Sequence, residues 1–468
     1  MKLLPTFCAV LAGVIPLTLP GAAQAKILAR YVLLGEGGAP IVRIIADEAK
    51  CPVLSIDGRA AQMKLRAAPA TLPLRPTASK PDFSKASKFP IAICEQRLQT
   101  TARNVRLGGV RLPLPPRRVD RILVIGDTGC RLKAADRAYQ ACDDPNAWPF
   151  AALATRAAAW KPDVVLHVGD YLYRENPCPK GNAGCAGATW GYGWDAWRAD
   201  FFAPAAPLLA AAPWIVVRGN HENCARAGQG WWRLVDVRPL QPGRDCIDPK
   251  NDFANDDAPP YAVPLGGGAQ VVVMDLSIAG TRPLAGANTR SRQFVRDYDV
   301  LTTLARRASF TFLADHKPIL GIGAKQVAGG PVKLFPGNEA IQSAFARRNH
   351  DLFPADVDVL LSGHIHLWEQ VSFGADRPSQ FIAGFSGTQE DIVPLPRRLP
   401  AGFSPAPGAR PDQFSSWIGG FGYMTLERQG LRQWKVTVWS LSGQIVNRCE
   451  IDGRKSRCER DQVAGHGE

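Results

Sequence analysis

The chain has 468 residues, enough for two or three domains and for a sizeable core. Hydrophobic residues make up 46% and charged residues 21%, which excludes a disordered chain, and 44 Gly with 39 Pro but no Gly-x-y period exclude collagen. Lys and Arg outnumber Asp and Glu by 56 to 42, yet pairs such as Arg306-Arg307, Arg347-Arg348 and Arg397-Arg398 are dispersed, so the net charge of +14 suits anionic small substrates and no nucleic-acid partner is expected.

Taken in chain order, Met1 to Ala25 combines a basic Lys2, an apolar stretch from Leu3 to about Leu19 and the small-x-small end Ala23-Gln24-Ala25. This is the pattern of a secretory signal peptide cut after Ala25, and the expected location is periplasmic or secreted. Pro5, Pro16 and Pro20 break the apolar run, which argues against a buried helix or an anchor. No later segment approaches the roughly 18 uncharged apolar residues of a spanning helix, so no transmembrane segment is expected.

Beyond Cys8 there are ten cysteines, and an even number in an exported chain reads as disulfides. Pairing sequence neighbours keeps each loop inside one unit: Cys51 with Cys94, Cys130 with Cys142, Cys178 with Cys185, Cys224 with Cys246, and Cys449 with Cys458. A thiolate metal site is disfavoured because no Cys-x-x-Cys pair occurs.

Residues 26–118 show short β-like runs at Ala29 to Leu34, Ile41 to Ile45, Phe89 to Cys94 and Val110 to Leu114, separated by Gly and Pro signals and the long stretch Ala67 to Ser87. They read as a small β-rich N-terminal domain, closed by the stiff Pro-rich connector Leu112 to Arg118. In 119–468 the rhythm changes. Apolar strand candidates at Arg121 to Ile125, Asp163 to Val168, Trp214 to Val217, Gln270 to Asp275, Phe310 to Ala314 and Val357 to Leu361 alternate with helical windows. Those windows lie near Trp148 to Trp160, Trp194 to Ala211, Arg290 to Arg307 and Asn338 to His350. The alternation predicts an α/β layered domain, with Gly422 to Glu427, Trp434 to Ser440 and Gln444 to Arg448 as a second sheet packed on the first.

Polar clusters follow five of these strands: Gly126-Asp127-Thr128-Gly129, Gly169-Asp170 through Tyr173, Gly219-Asn220-His221-Glu222, Asp315-His316-Lys317-Pro318 and Gly363-His364-Ile365-His366. Ligands of open α/β sheets collect beyond the carboxyl ends of strands, so the shared setting says more than any single cluster. Two carboxylates, one amide oxygen, three imidazoles and a phenol make a mixed oxygen and nitrogen set suited to iron, manganese or zinc rather than calcium. If one Asp is shared, the inventory supplies about four ligands to each of two metals.

The ordered set Asp127-Thr128-Gly129, Gly169-Asp170, Gly219-Asn220-His221-Glu222, Leu313 through His316 and Gly363-His364-Ile365-His366 resembles the calcineurin-like metallophosphoesterases, and Tyr173, three places after Asp170, resembles the purple acid phosphatase branch. The resemblance implies an α/β (α+β) catalytic domain built as a four-layer α/β/β/α sandwich. It implies two metal ions: Asp127, Asp170, Tyr173 and His366 on Fe(III), and Asn220, His316 and His364 on a divalent Fe, Zn or Mn ion, with Asp170 bridging. His221 would be catalytic, acting on the phosphate or the leaving group. The implied activity is hydrolysis of small phosphate monoesters by hydroxide attacking phosphorus in line.

One departure is confined to a strand, where Leu313 replaces the family's usual Val. The stretch between Asn220 and His316, with Trp231-Trp232 and Asn255-Asp256-Asp257, and the Cys178 to Cys185 loop are inserts expected to shape substrate access. An alternative on the same fold is a phosphodiesterase or nucleotidase with two divalent metals. A non-catalytic envelope binding protein would have lost at least one ligand, and none of the seven is missing. Singly, the remaining candidates read as structural: His167 as core or as an outer support, Glu222 as an orienter, Trp190, Trp194 and Trp197 as packing, His350 and His466 as surface residues, and Asp143-Asp144 and Asp256-Asp257 as solvated loop charges.

Overall fold

The computed structural model of the protein describes residues 1, 26–327, 330–374, 377–390, 393, 395–396 and 399–459. The signal-peptide reading of residues 1–25 and the surface reading of His466 lie outside the described residues, apart from Met1. No described helix is long and apolar enough to cross a membrane.

Two large sheets carry the fold. The first has eleven strands in the order Lys455–Cys458, Ile445–Asp452, Gln433–Ser440, Gly422–Arg428, Arg121–Ile125, Val164–His167, Trp214–Val216, Ile27–Leu34, Pro40–Ala46, Ala92–Arg97 and Lys64–Ala67. The second has seven, in the order Tyr261–Gly266, Ala269–Val273, Phe310–Ala314, Val359–Ser362, Ser379–Ala383, Trp368–Phe373 and Pro411–Trp417. At the centre of each sheet the strands run parallel.

These central strands are almost unbroken apolar runs because both of their faces are covered. Along Phe310–Ala314 the side chains alternate, so that Phe310, Phe312 and Ala314 enter the same core as Ile122, Val124 and Met424 of the first sheet. Leu313 points the other way, toward Phe294 and Leu301 of the helix Thr289–Ala305 and Ile341 and Phe345 of the helix Glu339–Phe345. Asn288 starts the longer helix by accepting hydrogen bonds from the backbone of Arg290 and Ser291. The helix Phe150–Ala159 buries Phe150, Leu153, Ala154 and Ala157 against the first sheet. The layering is therefore α/β/β/α.

Three expectations change. The C-terminal strands form no second sheet of their own: Gly422–Arg428 pairs antiparallel with Arg121–Ile125 and extends the first sheet. The second sheet instead takes its three central strands from those that the sequence rhythm had placed in line with the first, Ala269–Val273, Phe310–Ala314 and Val359–Ser362, because a strand buried on both faces carries no mark of which sheet it joins; its strands Tyr261–Gly266, Trp368–Phe373, Ser379–Ala383 and Pro411–Trp417 were not expected. Segment 26–118 does not stand apart, since Ile27–Leu34 pairs with Trp214–Val216 through Leu33 and Trp214. Leu33 faces the main core while Val32, Val42 and Ile44 face a small separate cluster, so this segment divides itself between the two. The window Trp194 to Ala211 breaks into Trp194–Trp197, a wide turn at Arg198–Phe202 and Ala206–Ala211. Pro204 and Pro207 withhold the backbone donors that a continuous helix needs.

The sulfurs are bonded as Cys51–Cys94, Cys130–Cys142, Cys178–Cys185, Cys224–Cys246 and Cys449–Cys458.

Candidate metal centre

Each polar block leaves the carboxyl end of a parallel strand, three from the first sheet and two from the second, so the blocks meet where the two sheets adjoin. Asp127, Asp170 and His364 all have left-handed backbones, with φ of 54°, 58° and 73°. Such conformations cost a non-glycine residue about 1–3 kcal/mol and gather at functional sites. Gly219 is required sterically, because a Cβ there would lie 2.0 Å from Asp170 Oδ1 and 2.1 Å from its backbone nitrogen.

Counting protons shows what the site can hold. The Tyr173 hydroxyl lies 2.8 Å from Asp127 Oδ1, 2.8 Å from Asp170 Oδ2 and 3.0 Å from His366 Nε2. His366 Nδ1 faces the Gln389 carbonyl at 2.9 Å and donates to it, which leaves Nε2 of the neutral ring as an acceptor. One phenolic proton cannot serve three acceptors. On the other side of Asp170, His316 Nδ1 donates to the Val168 carbonyl at 2.8 Å, so Nε2 of the neutral ring faces Asn220 Oδ1 and Asp170 Oδ2, both at 3.1 Å; burial alone would lower His316, but without a cation Asp170 draws a proton there and pushes its pKa up to about 9. Ligand atoms of Asp170, His316 and His364 lie within 4.8 Å of one another. Two clusters of acceptors short of protons thus share Asp170 Oδ2, and this donor set fits two cations with one bridging carboxylate. Burial, then Asp127 and Asp170, push the Tyr173 phenol well above its ordinary pKa. A bound metal cation reverses that preference.

His221 sits beside these clusters, its ring tilted 37° against that of Tyr173 with centroids 3.8 Å apart and its Nε2 3.8 Å from Asp170 Oδ2. Its Nδ1 is 2.5 Å from the buried carboxylate of Glu175, and Arg226 donates to both oxygens of that carboxylate. Burial alone would raise Glu175, but Arg226 and His221 hold it well below the usual carboxylate range. Burial and then the Arg226 charge push His221 down to about 4.

Two further buried carboxylates set the backbone. Glu222 accepts from the backbone N–H groups of Asp170, Tyr171, Leu172 and Gly219, tying the loop of Asp170 to that of Asn220. Asp200 accepts from the backbone of Cys130, Tyr173 and Arg174 and from the Arg174 side chain. It lies on the wide turn at Arg198–Phe202, a local helix defect of the kind found at functional sites.

All seven expected metal-binding residues and His221 are brought together. His167 is buried behind them, 3.0 Å from Thr128 Oγ1 and stacked on Tyr171, while His350 is exposed. Trp194 and Trp197 belong to the core and Trp190 lies under Lys85, so this aromatic group is packing. Trp231 and Trp232 are also core residues rather than a wall of the site. Asp143 and Asp144 are exposed, but Asp256 is not a solvated charge: it is 6% exposed and 2.7 Å from Arg218 Nη2. The sequence reading missed Glu175, Asp200 and Arg226, whose spacing follows no periodic pattern. The one available signal was the acid five places after Asp170.

Residues 120–367, more than half of the chain, match the calcineurin-like phosphoesterase family. A purple acid phosphatase from yellow lupin (Lupinus luteus) seeds has a similar fold, with a TM-score of 0.55 at 13% identity over 94% of this chain and 75% of that one. PhoD aligns over 96% of this chain and 95% of its own at 13% identity, with a TM-score of 0.48. No curated protein sequence matches. With the family match spanning all five polar blocks, the chain belongs to the calcineurin-like phosphoesterases, a family whose fold implies a dinuclear metal site, and is a hydrolase of phosphoric esters.

Proposed function

We propose that the protein is a secreted or periplasmic phosphomonoesterase of the purple acid phosphatase kind. The observation that carries this reading is the Tyr173 hydroxyl, set between Asp127 Oδ1, Asp170 Oδ2 and His366 Nε2. A phenolate, two carboxylates and an imidazole favour a ferric ion, and Asn220, His316 and His364 with the shared Asp170 suit a divalent Fe, Zn or Mn ion. When bound, the two ions polarise the phosphoryl oxygens and lower the pKa of water toward about 7.

The protein's own groups do the rest. Asp170 bridges the two ligand sets, and Glu222 and Asp200 hold the loops that present them. Glu175 accepts from His221 Nδ1, so the second proton of the imidazolium form stands on Nε2, the ring atom left to meet the phosphoryl group and the ester oxygen. Arg226, held by Glu175 beside that ring, adds positive charge where negative charge develops. Five disulfides and the leader-like residues 1–25 support export.

Metal analysis and a visible spectrum of the purified protein test the reading. One iron and one divalent ion per chain are expected, with a visible absorption band that Tyr173→Phe abolishes; a colourless wild type without iron sinks the ferric assignment. Faster turnover of a monoester than of a bis-ester chromogenic substrate is expected, and the reverse order replaces the monoesterase with a phosphodiesterase. N-terminal sequencing of exported protein should begin at Lys26.

A further inference from the structure

Glu175 is reached from a part of the chain that carries none of the metal-binding blocks. The Tyr192 hydroxyl donates to Glu175 Oε2 at 3.2 Å, and Thr77 Oγ1 lies 2.5 Å from the same hydroxyl. Each hydroxyl has one proton, which settles the order: an ionised Glu175 can only accept, so Tyr192 donates to it, and Thr77 therefore donates to Tyr192. Thr77 Oγ1 in turn accepts from the Ser79 backbone at 3.2 Å. The same segment braces both neighbours of the site. Ser79 Oγ donates to the side chain of Asn176 at 2.9 Å, and the Ala78 backbone donates to the carbonyl of Ala225 at 2.9 Å. Thr77, Tyr192 and Asn176 are all buried, so water does not compete for these bonds.

With His221 Nδ1, two nitrogens of Arg226 and Tyr192, the Glu175 carboxylate has a donor for each of its four lone-pair directions. Removing the Tyr192 donor lets the carboxylate rotate about its remaining partners. That rotation moves the atom to which the His221 ring is anchored.

We propose that Tyr192 and Thr77 are positioning residues of the catalytic centre: their hydroxyl relay fixes Glu175, and through it the His221 imidazole, against the departing ester oxygen. The segment around Thr77, which lies before the family-matched region, is thereby part of the active centre. This inference rests on the proposed role of His221 toward the leaving group.

The test uses the metal-loaded full chain and two esters. The p-nitrophenolate of p-nitrophenyl phosphate leaves without a proton, whereas the alkoxide of glycerol 2-phosphate needs one, which Nε2 of the His221 imidazolium gives up while the neutral ring keeps its Nδ1 proton on Glu175. Tyr192→Phe and Thr77→Val should each lower kcat on the alkyl ester about tenfold and on the aryl ester less than about threefold, with KM unchanged. Thr77→Ser, which keeps the hydroxyl, should restore the wild-type rate. His221→Ala should show the same selective loss, and adding Tyr192→Phe to it should cost nothing further. Equal losses on both esters, loss of bound metal, no loss at all, or a Tyr192→Phe effect that persists without His221 would overturn the relay while leaving His221 in its role. If His221→Ala itself treats the two esters alike, the reading of His221 fails, and the relay with it.

Discussion

Replacing Asp200 probes how the fold places Tyr173. The carboxylate is fully buried and every neighbour is a donor: Cys130 N at 3.0 Å and Arg174 Nε at 2.6 Å on Oδ1, Tyr173 N at 2.7 Å and Arg174 N at 3.1 Å on Oδ2. Burial pushes its pKa up, and Arg174 with the backbone donors opposes that. A protonated Asp200 would turn its O–H against an N–H, so the group is ionised. Asp200→Ala leaves Arg174 as an uncompensated buried charge, which costs about 3–5 kcal/mol. Three orphaned backbone donors would add about 1–3 kcal/mol each if nothing replaced the carboxylate. Water entering the vacated space recovers much of that, and the net loss should be about 4 kcal/mol, nearly a thousandfold in the folding equilibrium. Asp200→Asn should be no milder, because its amide N–H groups would face two of the four donors. Equilibrium guanidinium unfolding followed by tryptophan fluorescence measures both variants, and metal analysis tests the proposed role of Tyr173 by whether metal content falls with them. An Asn variant within about 1 kcal/mol of wild type would refute the donor count.

Gly219→Ala should lose bound metal while the overall fold persists, since its Cβ would overlap Asp170; unchanged metal content with normal activity would remove the steric argument. Burial, then Asp257 and Asp275, push the Asp297 carboxyl up to about 8. The folded protein therefore holds a proton that the unfolded chain releases near pH 4, and this contribution to stability declines as pH rises from about 4 to 8. Asp297→Asn should flatten that decline, so that its thermal midpoint exceeds wild type at pH 9; parallel profiles across the range would count against it. Chelating the metals should lower the thermal midpoint, because Asp127, Asp170 and Tyr173 then face one another without a cation. A midpoint indifferent to chelator would mean that the acceptor clusters are balanced in some other way.

The chemistry was legible because it is local. Asp127, Asp170, Asn220, His316, His364 and His366 each sit just past an apolar run, and a strand end followed by a Gly or Asp turn is written into a few consecutive residues. Tyr173 is equally local, three places from Asp170. Even the disulfides follow sequence neighbours.

What tertiary structure alone decided is long-range. Arg121–Ile125 and Phe310–Ala314 read alike as buried strands, and only pairing sends one to each sheet. Residues 26–118 look like a separate unit until Leu33 meets Trp214 and Thr77 meets Tyr192. Asp200, Glu175 and Arg226 carry ordinary spacings, and their roles arise from the donors and acceptors that folding brings around them. The physical reason is the range of the interactions. Turn geometry and apolar alternation act between residues a few places apart, so the amino-acid order by itself determines the polar loops and the strands that carry them. The partner of a buried carboxylate is settled only when distant segments pack together, and that decided how His221 is held.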